Sequence, residues 1–392
     1  MKTFFKISLL FNFLLLIAHH ASATHLMGGW AGYQYLGLNT VTGNYQYQVT
    51  VKVYRYCDDI VGPCGTNGCG TADLDGSIQL GAYTQDVLNP TNPNKVLTAS
   101  FTIPLSLPTT WVPLPGASNC ATAPIVCVEE GIYTMLIELP PSNGGYHLFF
   151  ERCCRNGQPP TPILNLATPG AAGMTFYAFV PPTFINNSSP TFALPPVPYI
   201  CVNDTASILN TAFDPDGDVV IYSSVQPFNG YASNINPAPT PPNPYTFPIP
   251  LVTYAAGYSA TQPFGAGGYA SVNAFTGISQ YLSPATGNYV VAVELQEYRN
   301  NQLIGITRLD IQIIVVACPP NNAPALSSST SQISYVVNQG NSLCFPITFT
   351  DANGDSIFLN AIGTIFSNPP TNPTATITPN PNAGLGTVTS QF

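Results

Sequence analysis

Two short acidic runs are the part of this sequence best suited to chemistry. Residues 214–218 read Asp-Pro-Asp-Gly-Asp, and residues 351–355 read Asp-Ala-Asn-Gly-Asp. Carboxylates this close together repel one another unless a cation neutralises them. Calcium prefers oxygen ligands from carboxylates and carbonyls. We therefore predict two calcium sites, with the ligands Asp214, Asp216, Asp218, Asp351, Asn353 and Asp355.

The same runs also fit an ordinary solvated turn, because Asp, Asn, Gly and Pro all favour turns. They are not EF-hand loops, which place their glycine at the sixth position rather than the fourth. In the second run Asn353 replaces an acid, so the second site is the weaker prediction. Glu294 or Glu297 could complete the ligand shell of the first turn.

The ten cysteines are expected to form disulfides, because the chain begins with an export signal. Cys201 and Cys318 bracket the middle part of the chain and are predicted to pair. Cys153 and Cys154 are adjacent at the end of a predicted strand. Because side chains alternate between the two faces of a strand, we expect separate partners for these two cysteines.

The other cysteines leave their pairing open. The cysteines of one loop rich in Gly and Asp could bind a metal instead of forming disulfides, but this alternative is less favoured because no histidine is near. Two further cysteines could close a small loop of their own, and Cys344 has no obvious partner. The loop cysteines are Cys57, Cys64 and Cys69, and the two close in sequence are Cys120 and Cys127.

The first 23 residues have the pattern of a signal peptide. Lys2 and Lys6 precede an apolar core at residues 7–18, and residues 21–23 read Ala-Ser-Ala, a small-residue cleavage site. The core is too short to cross a bilayer, and no later stretch is apolar enough for a membrane helix. We predict that residues 1–23 are removed and that the chain is secreted or displayed at the cell surface.

Low charge excludes several classes of function. Only 7% of the residues are charged, and the net charge is −9 without a basic patch, so nucleic acid is not an expected partner. No catalytic motif is present. Paired glycosidase carboxylates would be the enzymatic alternative, although solvated acids at strand edges explain the same residues. We predict that the protein is not an enzyme; the acids concerned are Glu129, Glu130, Glu138 and Glu151.

The elements that carry these sites are predicted to be strands. Apolar and polar residues alternate over residues 45–53, and 40 prolines and 32 glycines favour turns over long helices. The predicted fold is all-β, with tandem antiparallel β-sandwich modules of the Ig-like or cadherin-like kind. Further strands are predicted at 77–80, 96–103, 132–138, 146–152, 174–180, 289–296 and 304–316.

Proline-rich stretches divide the chain into predicted modules. A first sandwich spans 24–180, and a linker follows at 181–198. The module with the first acidic turn spans 199–318, and a second linker spans 319–324. Residues 325–392 are expected to be an incomplete module with the second acidic turn, because they are too few for a full sandwich.

Seven short runs carry a resemblance to one group of proteins, and they lie at 24–29, 51–57, 127–133, 153–156, 214–218, 297–299 and 308–312. In these runs and in their order the chain resembles the exported surface proteins of the Bacteroidota that carry a gliding-motility-associated C-terminal domain and leave through the type nine secretion system. The chain departs from that group at Trp30 and Tyr56, where an acid is usual, and it shows no sorting domain.

This resemblance implies a cell-surface or secreted protein of repeated Ig-like modules that acts in adhesion or gliding motility. It also implies O-glycosylation at Asp-Ser/Thr-apolar triplets, here at Thr205 and Ser356. The expected partners are cell-surface glycans or proteins, met by exposed tyrosines and other weak contacts. The alternative is a carbohydrate-binding region of a larger secreted degradative enzyme.

Overall fold

The structure is a computed structural model that leaves several segments undescribed. The predicted signal peptide at 1–23 and the ligand Asp355 both lie outside the described residues. So do the cysteines Cys64, Cys69 and Cys120. Described are residues 26–57, 74–85, 94–112, 127–157, 162–193, 199–242, 244–318, 322, 324–327, 336, 338, 341–354, 356–361 and 375–392.

The described residues form an all-β protein, as predicted. A single 3-10 turn at Pro169–Ala171 is their one helical element. The strands are β1 (Leu26–Leu38), β2 (Tyr45–Cys57), β3 (Ser77–Gln85), β4 (Asn94–Trp111), β5 (Cys127–Leu139), β6 (Tyr146–Cys153), β7 (Gly173–Val180), β8 (Thr191–Phe192), β9 (Tyr199–Cys201), β10 (Thr205–Leu209), β11 (Ala212–Phe213), β12 (Val219–Val225), β13 (Tyr245–Thr246), β14 (Tyr269–Val272), β15 (Ile278–Leu282), β16 (Gly287–Arg299), β17 (Gln302–Val316), β18 (Ala325–Leu326), β19 (Pro346–Thr350), β20 (Ser356–Leu359), β21 (Asn382–Leu385) and β22 (Thr387–Gln391).

Most of the strands belong to one 12-stranded sheet that curls back on itself. Its main path runs β1-β2-β5-β4-β3-β6-β7-β17-β16-β12, and its pairs are antiparallel except that of β9 with β17. One edge of β17 receives β7 at Ile306 and Thr307 and β1 at Leu309–Ile311. The two ends of the seven-stranded path from β1 to β7 therefore meet side by side on one strand, β17.

The alternation in β2 shows why the sheet curls around a core. Val49 and Val51 are fully buried, and Tyr47 and Val53 are nearly so. Between them, Gln48 faces solvent and Lys52 is half-buried. A shift by one residue would exchange the two sets, so this pattern fixes the register of β2 against β1 and β5.

The long hairpin of β16 and β17 supplies the second core. Asn300 and Asn301 connect the strands with φ values of 52° and 62°, the left-handed region that a two-residue hairpin turn requires. Leu295 of β16 and Leu309 of β17 are buried on the same face, which packs against Trp30 and other apolar residues. This hairpin also carries Glu297 and Arg299 to the end of the sheet.

Strands from both sides of the first predicted linker share this sheet. The described part of that linker, 181–193, packs on β1: the Tyr33 N–H donates to Ser189 Oγ over 2.8 Å, and the Tyr35 N–H donates to Ser188 Oγ over 3.1 Å. By contrast, β18–β22 form two small sheets of their own. The module boundaries and their Ig-like character remain predictions.

A buried ion pair joins the segment after β6 to β17. Arg155 Nη1 donates to Asp310 Oδ1 over 2.8 Å, and Nη2 donates to Oδ2 over 2.5 Å. The two side chains are only 1% and 6% exposed. Arg155 also donates to the carbonyls of Gly173 and Phe228, so all three guanidinium nitrogens have protein acceptors.

The disulfides follow the sequence expectation in part. Cys201 and Cys318 are bonded and close a loop with a sequence separation of 117. Cys153 and Cys154 are bonded to each other, so the expectation of separate partners was wrong. The physical reason is that β6 ends at Cys153, and the alternation of a strand no longer applies to Cys154.

The remaining described cysteines take two states. Cys57 and Cys127, at the end of β2 and the start of β5, each take part in a disulfide. Cys344 is a free, exposed thiol. The alternative of a metal site at the loop cysteines involves Cys64 and Cys69, which lie outside the described residues.

Candidate metal centre

The two acidic runs fold into the same turn. In the first, the Asp216 N–H donates to Asp214 Oδ1 over 3.0 Å, and in the second the Asn353 N–H donates to Asp351 Oδ1 over 2.9 Å. The glycine of each run, Gly217 or Gly354, has φ of 77°. Glycine is the residue that adopts this left-handed conformation at no steric cost, which explains its place in both runs.

The first turn gathers the three predicted acidic ligands. It connects β11 to β12, so its two ends are fixed by paired strands. One oxygen from each of Asp214, Asp216 and Asp218 lies within 4.8 Å of the others. Asp214 is buried, and its Oδ1 also accepts the N–H of Asp218 over 3.0 Å. The three carboxylates are close enough to hold one metal ion.

Two buried carboxylate oxygens at this turn have no hydrogen-bond partner, Oδ2 of Asp214 and Oε2 of Glu297. Glu297 is completely buried, and its other oxygen, Oε1, accepts from Asn187 Nδ2 over 2.9 Å. A buried acceptor without a donor costs free energy, so a cation or a proton is needed here.

The pKa values of these acids reflect the same shortage of donors. Burial raises the pKa of Glu297 to about 9, against the hydrogen bond from Asn187, and the charge of Asp214 and a hydrogen bond with its carboxyl group add to the rise. Burial also raises the pKa of Asp214, and the charges of Asp218 and Asp216 add to that effect. An unshielded buried carboxylate is disfavoured here, which a bound cation would reverse.

Arg299 is the one cation that contacts the turn within the part of the chain that is described. Its Nε donates to Asp218 Oδ1 over 2.7 Å, and its Nη2 donates to Asp218 Oδ2 over 2.6 Å. The same Nη2 lies 3.9 Å from Asp216 Oδ2. One guanidinium cannot neutralise three carboxylates, so the turn keeps an excess of negative charge.

The turn also holds the segment that precedes it. The Ser188 N–H donates to Asp216 Oδ2 over 2.6 Å, and Arg299 Nη1 donates to the Asn186 carbonyl over 2.9 Å. The second turn has the same contact, because the Asn322 N–H donates to Asn353 Oδ1 over 2.8 Å. In both turns, the third residue therefore binds the backbone of the segment that leads into its unit.

The sequence offered two glutamates as further ligands for this site, and only one of them lies beside the turn. Glu297 lies beside the turn, whereas Glu294 accepts from Arg308 Nε over 2.6 Å, away from it. Glu297 fits because its register partner on β17 is Gly305: a Cβ there would lie 1.8 Å from Glu297 Oε2. Asn187, Ser188 and Arg299 were missed, since contacts so distant along the chain leave no local pattern.

Two separate cavities border the first turn. One, of about 320 Å³, is lined by Phe213 and Pro215, and the other, of about 760 Å³, is lined by Asp214 and Asp218. The exposed ring of Phe275 lies on its wall. Asn360 and Ala361, from the third predicted module, line its far side. Among the three aspartates, the side chain of Asp216 is 31% exposed, whereas that of Asp218 is 5% exposed and Asp214 is buried.

The remaining predicted site residues lie apart from this turn. In the second turn Asp351 is buried and Asn353 is bound to Asn322, while Asp355 lies outside the described residues. Thr205 is exposed at the first residue of β10, and Ser356 is half-buried at the first residue of β20. Glycosylation at either residue stays a prediction.

The acids considered for glycoside hydrolysis each have their own protein partner. Glu129 accepts from Arg55, and Glu130 forms an ion pair with Lys52 at 3.2 Å. Glu138 accepts from the side chains of Asn39, Thr42 and Gln46. Glu151 is buried and accepts from the Tyr245 hydroxyl and from the Tyr231 N–H. These contacts fix strands and loops in place.

Comparison with known proteins adds no relationship. No protein-family model matches the sequence. A search of curated proteins likewise finds no match. Within the described residues, none of the helical segments has the length and apolar character required to cross a membrane.

Proposed function

We propose that this chain is an exported structural protein of the cell surface and that calcium at residues 214–218 braces its units. The observation that carries the proposal is the buried pair of oxygens, Asp214 Oδ2 and Glu297 Oε2, which receive no donor from a third residue and lie beside two further carboxylates. A proton on Glu297 can satisfy both oxygens through a hydrogen bond between the two carboxyl groups, but only a cation also offsets the excess negative charge of the turn.

Calcium fits the donor set better than other metals do. The three aspartates and Glu297 offer only oxygen atoms, which suit hard cations, and the cluster includes no histidine or cysteine of the kind that zinc prefers. Calcium also accepts irregular geometry and a high coordination number, which backbone carbonyls and water can complete.

The expected role of the metal is mechanical. Asp216 holds the backbone of Ser188, and Asp218 holds Arg299 at the end of β16, so the turn joins two segments that are distant from each other in sequence. A metal that fixes Asp216 and Asp218 would stiffen this junction. The analogous contact of Asn353 with Asn322 supports a repeated device for bracing successive units.

The place of this function follows from the sequence. The signal peptide at 1–23 and the resemblance to Bacteroidota surface proteins support a secreted or cell-surface protein in adhesion or gliding motility. Its partners would be cell-surface glycans or proteins. Beads coated with the chain should adhere to cells or glycan surfaces, and beads that adhere no better than albumin-coated ones would count against the adhesive part of the proposal.

Thermal unfolding of the full chain tests the calcium site. We expect calcium to raise Tm relative to excess EDTA, because a ligand at a hundred times its Kd stabilises the native state by about 2.7 kcal/mol. Asp216→Ala should abolish the rise, whereas Asp204→Ala, at an exposed aspartate outside the turn, should leave it intact. An equal Tm in calcium and EDTA for the wild-type chain would reject the site.

A further inference from the structure

Arg299, the last residue of β16, already binds the acidic turn. Its guanidinium binds both oxygens of Asp218 and lies 3.9 Å from Asp216 Oδ2. Two of the three predicted calcium ligands are therefore shared with an internal cation. Asp214 Oδ2 and Glu297 Oε2, by contrast, receive no donor from a third residue, and the two carboxyl groups interact with each other.

We infer that Arg299 is an internal competitor of calcium and sets the affinity of this site, an inference that rests on the proposed function. A divalent ion bound by Asp216 and Asp218 would lie close to the guanidinium, and like charges repel strongly where water is partly excluded. Calcium must bind against that repulsion or displace the guanidinium. The Arg299 side chain is 33% exposed, so it can swing toward solvent without opening a core.

The other contacts of Arg299 explain what the competition achieves. Nη1 donates to the Asn186 carbonyl over 2.9 Å, and Nη2 donates to Asn187 Oδ1 over 3.0 Å. Asp216 binds the same segment through the N–H of Ser188. Without calcium the guanidinium braces segment 186–188 against the turn, and with calcium the metal-bound aspartates do so. The junction then stays closed at low calcium, at the cost of weaker calcium binding.

The test compares variants of two arginines in the β16–β17 hairpin. Calorimetric titration of the full chain with CaCl₂ gives the Kd for calcium, and thermal unfolding in EDTA gives Tm. Arg299→Gln is expected to lower Tm in EDTA, because a brace is lost, yet to tighten calcium binding about ten-fold or more. Arg308→Gln is the matched control, since its guanidinium also binds a carboxylate, Glu294, at 2.6 Å but does not contact the turn. It should lower Tm and leave the Kd for calcium unchanged.

Each result separates this inference from the proposed function. If the wild type binds calcium and Arg299→Gln binds it equally or more weakly, the competition is refuted while the calcium site stands. If the wild type takes up no calcium, both fail. Should Arg299→Gln not fold, Arg299→Lys keeps the charge but loses the two-pronged hydrogen bond, and it is expected to tighten binding by a smaller factor. An unchanged or weaker affinity of the lysine variant would then overturn the inference.

Discussion

Arg155→Ala is expected to lower the free energy of unfolding by about 3–5 kcal/mol, because it leaves a buried carboxylate without a counterion. Asp310, its partner, has a side chain only 6% exposed on β17, the strand on which the sheet closes. The variant also removes the donor to the carbonyls of Gly173 and Phe228, which accept from the same guanidinium. Urea unfolding followed by tryptophan fluorescence measures the loss.

Lys52→Ala is the control for that measurement. In its ion pair with Glu130 the lysine side chain is 27% exposed and the glutamate side chain 9% exposed, so water screens the pair from the lysine side. Exposed pairs contribute about 0–1 kcal/mol, whereas loss of one partner of a buried pair costs about 3–5 kcal/mol, so this half-buried pair should lose less stability than Arg155→Ala does. If Arg155→Ala lost no more stability than Lys52→Ala, the buried pair would not stabilise the fold more than the half-buried pair does.

The double variant Cys201→Ser/Cys318→Ser has a comparable expected effect. The disulfide closes a loop with a sequence separation of 117, and constraint of the unfolded chain by a loop of this size contributes about 4–5 kcal/mol in the chain-entropy model. The bridge also anchors β9 beside the last residues of β17, where Cys201 is in register with Val316. Tm of the double variant, compared with wild type, measures the contribution.

Cys344→Ser gives the matched control for the loss of a sulfur atom. Cys344 is a free, exposed thiol, so its replacement removes neither a crosslink nor a buried group. We expect an unchanged Tm. A double variant as stable as Cys344→Ser would mean that the bridge adds nothing to the packing of β9 against β17.

Local patterns in the sequence predicted the strands well. The alternation at residues 45–53 corresponds to β2, and the predicted strands at 289–296 and 304–316 correspond to the β16–β17 hairpin. These succeed because a strand that buries one face must alternate with period two. The acidic turn was also visible, since the positive φ of Gly217 and the short polar neighbours are local requirements.

Contacts between distant residues were beyond such patterns. Nothing near Arg155 in sequence indicates Asp310, and nothing near Asp216 indicates the N–H of Ser188. These partners are brought together by the order in which the strands pair in the curled sheet, and local sequence patterns do not specify that order. Glu297 was found only because it lies on a strand that could be placed at the end of the same unit. The bond between Cys153 and Cys154 was missed because the strand was expected to continue.

Hydrogen exchange at the Ser188 amide tests the central claim most directly. This N–H donates to Asp216 Oδ2, so a metal that fixes Asp216 must also slow its exchange. We predict slower exchange by about ten-fold or more in calcium than in EDTA, no such difference in Asp216→Ala, and an unchanged rate at the Val41 amide, which donates to Asn39 Oδ1 in an exposed turn. Equal rates at Ser188 in calcium and EDTA would contradict a calcium-braced junction.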